Sequence, residues 1–298
     1  MLKSLLLAGA RLERLLSPRG SIESGLEAGR VLKRRLGGRF GQVYYLYIPR
    51  SARKRPPLMV SIHGISRNAR QHAKLLSSVA ELYGVIVLAP LFSKKQFPDY
   101  QRLGRQRRGP RADLALDRIV GEVLNLTGAD TSQLYLFGYS GGGQFAHRYA
   151  MAHPDRVASV VIGAAGWHTM PQSEIAFAHG IGLCRDLPGL RFDSAKYFRV
   201  PMTVLVGDMN TDRDPGLNKS EKVDRMQGRN RIERAFTWAK TMNLVAKGRG
   251  MPEHFSVEVL PGVDHSFELG VSHGAMQEKI FTHLFANRQS RNRVLRQC

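Results

Sequence analysis

A serine between glycines is the residue of this sequence whose surroundings best suit nucleophilic chemistry. The segment Gly138-Tyr139-Ser140-Gly141-Gly142 matches the pattern G-x-S-x-G, and it lies between an apolar run and an amphipathic run. In a strand–turn–helix context the tight turn projects the serine hydroxyl above the edge of a sheet, and larger residues at the glycine positions would clash. We therefore predict that Ser140 attacks an acyl carbon. A glycine loop that binds phosphate at a helix start is the alternative.

A serine hydroxyl needs a general base, and one histidine near the C-terminus has the expected position. His265 lies in Pro261-Gly-Val-Asp-His265, directly after the last predicted strand. In proteins that carry the G-x-S-x-G turn, the chain order is serine, then acid, then histidine. We predict that His265 accepts the serine proton and later returns it to the leaving group.

The acid of such a triad holds the histidine in the productive tautomer and stabilises its protonated form. The penultimate predicted strand, Met202–Val206, is followed by Gly207-Asp-Met-Asn-Thr-Asp-Arg-Asp214. Three aspartates in this segment compete for the role. We favour Asp212, with Asp208 as the alternative. Asp214 precedes a Pro-Gly pair, which is typical of a turn.

Two backbone amides must stabilise the negative charge that develops on the acyl oxygen. Gly141, directly after the serine, is predicted to supply the first amide, and Ile65 the second. Ile65 follows His63 and Gly64 at the end of an earlier predicted strand. We expect His63 to orient this loop, because no second histidine stands at the spacing of a metal site. No metal or organic cofactor is implied.

The elements that must position these residues alternate along the chain. Short apolar strands, such as Leu58–Ile62 and Gly84–Ala89, alternate with amphipathic helices such as Ala112–Thr127. The alternation predicts an α/β fold with a mostly parallel central sheet that helices cover on both faces. Residues 91–110 and 167–199 break the pattern. Both segments follow predicted strands, so we expect cap or lid segments at the strand ends where such sheets bind ligands.

Five aromatic side chains lie on the expected cap segments, and they allow two interpretations. They line a pocket for an acyl or aryl group, or they form the core of the cap. The five are Phe92, Phe97, Tyr100, Trp167 and Phe177.

Composition sets the broad class of the protein. A chain of 298 residues with 43% hydrophobic residues can bury a core, so disorder is excluded. The two cysteines, Cys184 and Cys298, exclude a disulfide framework. We expect a cytoplasmic protein, with secretion or peripheral membrane association as less favoured alternatives. Residues 1–39 are predicted to be a basic helical extension, 40–287 the catalytic domain, and 288–298 a basic tail.

The net charge of +21 is concentrated in short segments. Because no nucleic-acid recognition motif accompanies them, we predict solvated basic surface around a nearly neutral body and no specific nucleic-acid partner. Weak contact with an anionic surface through these loops is the alternative. Four acid-free stretches carry 18 positive charges: Arg30–Arg39, Arg50–Arg55, Arg102–Arg111 and Arg288–Arg296.

These motifs together resemble the α/β-hydrolases, in the esterase branch of polyhydroxybutyrate depolymerase-like and feruloyl esterase-like proteins. The resemblance extends over about residues 40–287 and implies hydrolysis of a carboxylic ester through an acyl-enzyme. Related sequences commonly place an aspartate three positions after the glycine of the acidic turn, where this chain has Asn210. The resemblance therefore implies that Asp212 takes the role of the acid or that activity is reduced.

We predict a serine-dependent esterase that acts on a small-molecule ester. Two alternatives stay open. An acyltransferase on the same scaffold would use an alcohol instead of water to release the acyl group. A weakened, non-catalytic homologue would bind anionic partners through the basic loops.

Overall fold

Eight strands form one sheet in the residues that the computed structural model describes, 26–38 and 41–294. They are β1 (Val31–Arg35), β2 (Val43–Tyr47), β3 (Pro57–Ile62), β4 (Ile86–Pro90), β5 (Asp130–Tyr139), β6 (Val157–Gly163), β7 (Met202–Gly207) and β8 (Phe255–Leu260). Their order across the sheet is β1-β2-β4-β3-β5-β6-β7-β8. β2 is antiparallel to both neighbours, and the remaining pairs are parallel. The predicted α/β class with a mostly parallel sheet is confirmed.

Helices cover both faces of this sheet. They are α1 (Ala69–Tyr83), α2 (Ala112–Thr127), α3 (Gly141–Ala152), α4 (Ser194–Tyr197), α5 (Glu221–Gln227), α6 (Arg231–Gly248), α7 (Phe267–Ser272) and α8 (Met276–Val294), with short 3₁₀ turns at Tyr100–Arg102 and Pro154–Arg156. Apolar residues of α2, α3 and α6 share one buried cluster. Those of α1 and α8 share another, on the opposite face. Covered faces explain why every residue of β3 is buried and why five of its six residues are apolar.

The first strand differs from the expectation of a basic helical extension over residues 1–39. β1 pairs antiparallel with β2, and Leu32 lies opposite Leu46. Val31 and Leu32 pack against the core, while Lys33 and Arg35 are exposed. Lys33 and Arg35 thus occupy the outward positions of an edge strand. Because three of the five residues of β1 are cations, the sequence does not show the alternation of apolar and polar residues that is typical of a strand. Residues 1–25 of the expected helical extension lie outside the described residues.

The C-terminal boundary also differs from the expectation. Helix α8 continues to Val294, through most of the segment expected to be a basic tail from residue 288. The last four residues lie outside the described part of the chain. Among the described residues, no helix combines the length and the apolar content that crossing a membrane requires.

The first expected cap segment contains the 3₁₀ turn Tyr100–Arg102 and packs onto the domain. Phe92, Phe97 and Tyr100 are almost completely buried. Phe92 contacts Tyr100 and Phe145 with ring centroids 5.4 and 5.2 Å apart. These side chains therefore form core beneath the segment.

Candidate active site

Ser140 occupies the turn between β5 and α3. Its backbone dihedrals, φ 54° and ψ −114°, lie in a region that residues with a side chain rarely adopt. Its N–H donates a hydrogen bond of 2.7 Å to the carbonyl of Gly163 at the end of β6. The neighbouring strand therefore holds the strained turn in place. The strand–turn–helix context that the motif predicts is present.

The glycines on either side of Ser140 are required by the close approach of backbone segments. A Cβ on Gly138 would stand 2.1 Å from the carbonyl oxygen of Gly142. A Cβ on Gly142 would stand 2.0 Å from the carbonyl oxygen of Ile62, at the end of β3. Both distances are far below van der Waals contact, and both obstacles are backbone atoms. The spacing of the motif thus has a steric origin.

We expect Gly142→Ala to lower the free energy of unfolding by about 2 kcal/mol, because the turn or β3 must shift to admit the methyl group. Chemical denaturation followed by circular dichroism measures this difference. Gly121→Ala is the matched control. It lies inside α2 with no atom within 4 Å of the added Cβ, so it should be neutral or stabilising by up to about 1 kcal/mol. Equal stability of the two variants would contradict the steric explanation.

His265 reaches Ser140 from the loop after β8. Its Nε2 lies 3.0 Å from the Ser140 Oγ. The imidazole stacks on the ring of Tyr139, with centroids 5.4 Å apart. Ser266 accepts a hydrogen bond from the Leu269 N–H and caps α7, which fixes the end of the loop. The structure therefore brings together Ser140 and His265, the two residues that the sequence predicts as nucleophile and base.

Asn210 contacts the other nitrogen of the imidazole. His265 Nδ1 and Asn210 Oδ1 are 3.2 Å apart, and Asn210 Nδ2 donates a hydrogen bond of 2.8 Å to the Asp264 carbonyl. Because a backbone carbonyl only accepts, the amide NH₂ group faces Asp264 and the amide oxygen faces His265. His265 therefore carries its hydrogen on Nδ1. This tautomer leaves Nε2 free to accept the proton of Ser140.

The assignment of the acid to Asp212, with Asp208 as the alternative, is corrected by this geometry. Asp212 is exposed, and the hydrogen bonds of the described residues do not join it to His265. Asp208 accepts a hydrogen bond of 2.8 Å from the Gly262 N–H and so links the turns after β7 and β8. The turn closes when the Asn210 N–H donates to the Gly207 carbonyl, and this directs the third residue after the glycine toward His265.

A partly buried ion pair acts electrostatically on His265. Arg231, which is 1% exposed, donates to Asp214 at 2.5 Å. Asp214 also accepts from the Gly216 N–H at 2.7 Å, as expected of a turn residue. Burial, with the charge of Arg231 acting in the same direction and Asp214 opposing them, lowers the pKa of His265 to about 4. His265 is therefore neutral near pH 7, the form that a general base requires.

The loop that contains Ile65 lies against the serine turn. A Cβ on Gly64 would be 3.5 Å from the Ser140 Cβ, and the Ile65 Cγ2 is 3.2 Å from the position of a Cβ on Gly141. Helix α3 begins at Gly141, so the amide of this residue has no acceptor within the helix. The two expected donors are thus neighbours at the nucleophile. Their stabilisation of an oxyanion stays a prediction.

His63 holds this loop from beneath. Its Nε2 accepts a hydrogen bond of 3.0 Å from the Phe92 N–H, and its Nδ1 donates to the Gly64 carbonyl at 2.8 Å. Burial lowers the pKa of His63 to about 4, which keeps Nε2 unprotonated and able to accept. The Tyr100 hydroxyl donates to the carbonyl of His63 at 2.9 Å. These contacts fit a residue that orients the loop.

In the part of the chain that the structure describes, no three histidine, cysteine, aspartate or glutamate side chains converge as metal ligands would.

A family model described as alpha/beta hydrolase fold matches residues 57–256 of the chain. The matched range contains Ser140 and Asn210 and ends before His265. Feruloyl esterase B from Talaromyces funiculosus is 27% identical over 115 residues, which is 37% of this chain and 33% of that protein. The chain thus matches about a third of the length of this relative.

Two solved structures are similar over most of the chain. Poly(aspartic acid) hydrolase-1 from Sphingomonas sp. KT-1 is 25% identical with a TM-score of 0.73, and the similarity covers 86% of this chain and 100% of that one. The poly(3-hydroxybutyrate) depolymerase from Bordetella parapertussis is also 25% identical, with a TM-score of 0.70 and coverage of 86% and 90%.

Proposed function

Because the chain belongs to the alpha/beta hydrolase fold family, we propose that it is a serine-dependent hydrolase of carboxylic esters. Esterases among the similar proteins support ester hydrolysis in general. The observation that carries the proposal is the distance of 3.0 Å between the Ser140 Oγ and the His265 Nε2, with Asn210 at the opposite nitrogen of the imidazole. This arrangement is that of a nucleophile, a base and a residue that orients the base.

The chemistry would proceed in two halves. Ser140 Oγ attacks the acyl carbon while its proton passes to His265 Nε2, and the amides of Gly141 and Ile65 bind the oxyanion. The bond to the leaving alcohol then breaks, and His265 gives the proton to the alcohol oxygen. Water attacks the acyl-enzyme by the same route, with His265 as base, and releases the carboxylic acid and free Ser140.

Asn210 would serve the tautomer of His265 but not the charge that His265 acquires. The amide oxygen accepts the Nδ1 hydrogen, so the imidazole keeps the productive tautomer. A neutral amide stabilises the imidazolium less than a carboxylate does. Burial and Arg231 also disfavour the positive charge on His265. Stabilisation of the transition state would therefore depend more on the oxyanion donors. Triads with asparagine in the third position occur in cysteine proteases.

The lowered pKa of His265 predicts the pH dependence of the reaction. The base must be neutral, so kcat/KM falls as the pH drops through the pKa of His265, and we expect that limb near pH 4. Asn210→Asp places a carboxylate at Nδ1, which raises the pKa and moves the limb to higher pH. Hydrolysis of a neutral ester measured from pH 3.5 to 8 tests both statements. Asp212→Asn, at an exposed position, is the control that should leave the limb in place. A wild-type limb near pH 6.5 would contradict the first statement, and an unshifted limb in Asn210→Asp would contradict the second.

Labelling with a fluorophosphonate probe tests the proposed nucleophile, because such probes react with activated serines. We expect wild-type protein to be labelled and Ser140→Ala to remain unlabelled. An unlabelled wild type would favour the non-catalytic alternative. Adding an alcohol to the ester assay separates the acyltransferase alternative, because an acyltransferase would form a new ester in place of the free acid.

A second candidate is hydrolysis within an anionic polymer. Two observations favour it: the net charge of +21 and the similarity to a poly(aspartic acid) hydrolase over the whole of that chain. The same triad would then cleave an amide, with an amine as leaving group. Release of short acids from poly(aspartic acid), measured beside hydrolysis of a neutral ester, separates the two candidates. The cytoplasmic location expected from the sequence stays a prediction.

A further inference from the structure

Two arginines lie over the ring of Trp167, which follows β6 beside the proposed active site. The guanidinium carbon of Arg148 is 4.2 Å from the ring centroid, and that of Arg102 is 5.4 Å away. The ring of His179 packs on the same indole at 4.7 Å. Trp167 is almost completely buried, Arg148 is fully buried and Arg102 is partly exposed. Cations bind the faces of indole rings, so the tryptophan can hold both charges close together.

The charge of Arg148 has no carboxylate partner among the described residues. Its guanidinium donates to the Thr169 Oγ1 at 2.9 Å, to the Gln101 carbonyl at 2.7 Å and to the Gln144 Oε1 at 3.2 Å. All three acceptors are neutral, and the buried Nη2 has no acceptor. A buried cation without a counter-ion lowers the stability of the fold, because no ion pair compensates for the hydration that the charge has lost.

Arg102 is in a similar position closer to solvent. In the described part of the chain its guanidinium has no hydrogen bond and no ion pair, only its contact with Trp167. Two acids act on it from nearby, and each already pairs with another arginine. Asp99 lies 3.1 Å from Arg108, and Asp186 lies 3.9 Å from Arg105.

The basic loop of residues 102–111 is therefore more neutral than its sequence suggests, except at Arg102 and the exposed Arg107. Arg111 also has a partner, since it donates to both carboxylate oxygens of Asp113. Around Trp167 the net charge is positive, because Arg102 and Arg148 lie over its ring without an ion pair among the described residues. Burial, together with the charges of Lys222, Arg102 and Arg148, lowers the pKa of His179 to about 4.

This positive cluster borders the nucleophile. Gln144, which accepts from Arg148, lies in the first turn of α3 after Ser140. The Gln101 side chain, one residue before Arg102, lies 3.2 Å from the position of a Cβ on Gly141. A ligand that occupies the proposed oxyanion site therefore has Gln101 beside it and Arg102 next along the chain.

We propose that Arg102 and Arg148, held on Trp167, form a subsite that binds a carboxylate of the substrate. The inference rests on the proposed function and names its substrate class, esters or amides that carry a carboxylate near the scissile bond. Arg102 supplies the direct contact, because it is partly exposed and its donors are unoccupied. Arg148 supplies a fixed positive field from beneath, and its bonds to Gln101, Gln144 and Thr169 hold the walls of the subsite.

The test compares Arg102→Gln with Arg107→Gln, which removes the same charge from the same loop at an exposed position away from Trp167. The substrates are the hemisuccinate and pentanoate esters of 4-methylumbelliferone, which differ mainly in charge. We expect Arg102→Gln to lower the ratio of kcat/KM for the anionic ester to that for the neutral ester by about 10-fold to 100-fold. Arg107→Gln should leave the ratio within about twofold. Arg102→Lys, which keeps the charge, should restore most of it.

A binding measurement keeps the subsite testable apart from turnover. Hexa-aspartate is titrated calorimetrically into Ser140→Ala and into the same protein with Arg102→Gln or Arg107→Gln. We expect only Arg102→Gln to weaken binding, by about tenfold or more. Equal weakening by both changes would mean general surface attraction, and absence of binding to Ser140→Ala would also overturn the subsite. A protein that binds hexa-aspartate through Arg102 but is not labelled at Ser140 would refute the proposed function and leave the subsite standing.

Discussion

Replacement of Ser140 by alanine is expected to lower kcat for ester hydrolysis by about 10³-fold or more. In the proposed mechanism the hydroxyl oxygen forms the acyl-enzyme, and Ser140 Oγ is the group that stands 3.0 Å from His265 Nε2 among the described hydrogen bonds. Alanine keeps the Cβ and meets the same backbone strain at φ 54° as serine does. The free energy of unfolding should therefore change by no more than about 0.5 kcal/mol. Steady-state kinetics and chemical denaturation of the same preparations measure the two quantities.

His265→Ala should reduce kcat by a similar factor, because nucleophile and base act as one unit. The double variant should be no worse than either single variant, since the first change already removes the pathway. Ser78→Ala, at an exposed position on α1, is the control for the loss of a serine hydroxyl and should retain full activity. Turnover that survives in Ser140→Ala would show that the nucleophile lies elsewhere.

The positions of Ser140 and His265 could be predicted because local rules determine them. The glycines around Ser140 are required by contacts within a few residues and with the adjoining strand end, so the pattern is visible in the chain itself. Ser140 follows the buried end of β5, and burial on both faces of the sheet produces apolar runs such as that of β7. His265 then follows from its place after the last predicted strand.

The third member of the site could not be ranked from sequence, because its selection depends on a turn. Asp208, Asp212 and Asn210 lie within five residues, and carboxylate chemistry alone favours an aspartate. The turn directs Asn210 inward through the bond from its N–H to the Gly207 carbonyl, and it leaves Asp212 in solvent. The comparison of spacing with related sequences was the correct signal, since it singled out the third position after Gly207.

Two further features could not be predicted from the sequence, for a different reason: the burial of the aromatic residues and the existence of β1. Both depend on partners far away in the sequence. Phe92 is core because Phe145 of α3 packs on it. Residues 31–35 form a strand because their backbone hydrogen-bonds to the edge of β2. No pattern within these five residues predicts that pairing.

Asn210→Ala is expected to lower kcat by about 10²-fold to 10³-fold. Without the amide oxygen, nothing in the described site accepts the Nδ1 hydrogen of His265, so the imidazole is free to rotate and to adopt the other tautomer. The other tautomer carries its hydrogen on Nε2 and cannot accept the serine proton. The loss should appear in kcat with little change in KM, because Asn210 is buried behind the imidazole, away from the substrate side. Steady-state kinetics on a neutral ester measure both constants.

Asp212→Asn and Asp208→Asn are the matched controls, because each removes a carboxylate from the same turn as Asn210. Both should keep kcat within about twofold, since Asp212 is exposed and Asp208 only links two turns. Asn210→Asp supplies a negative charge opposite the imidazolium. The new carboxylate also faces the Asp264 carbonyl, which in the wild-type protein accepts a hydrogen bond of 2.8 Å from the Asn210 amide. Two acceptors at that distance repel each other, so the aspartate should bring a higher pKa of His265 together with lower stability. A large loss of kcat in Asp212→Asn, with Asn210→Ala unaffected, would return the role to the aspartate and refute the geometry of this turn.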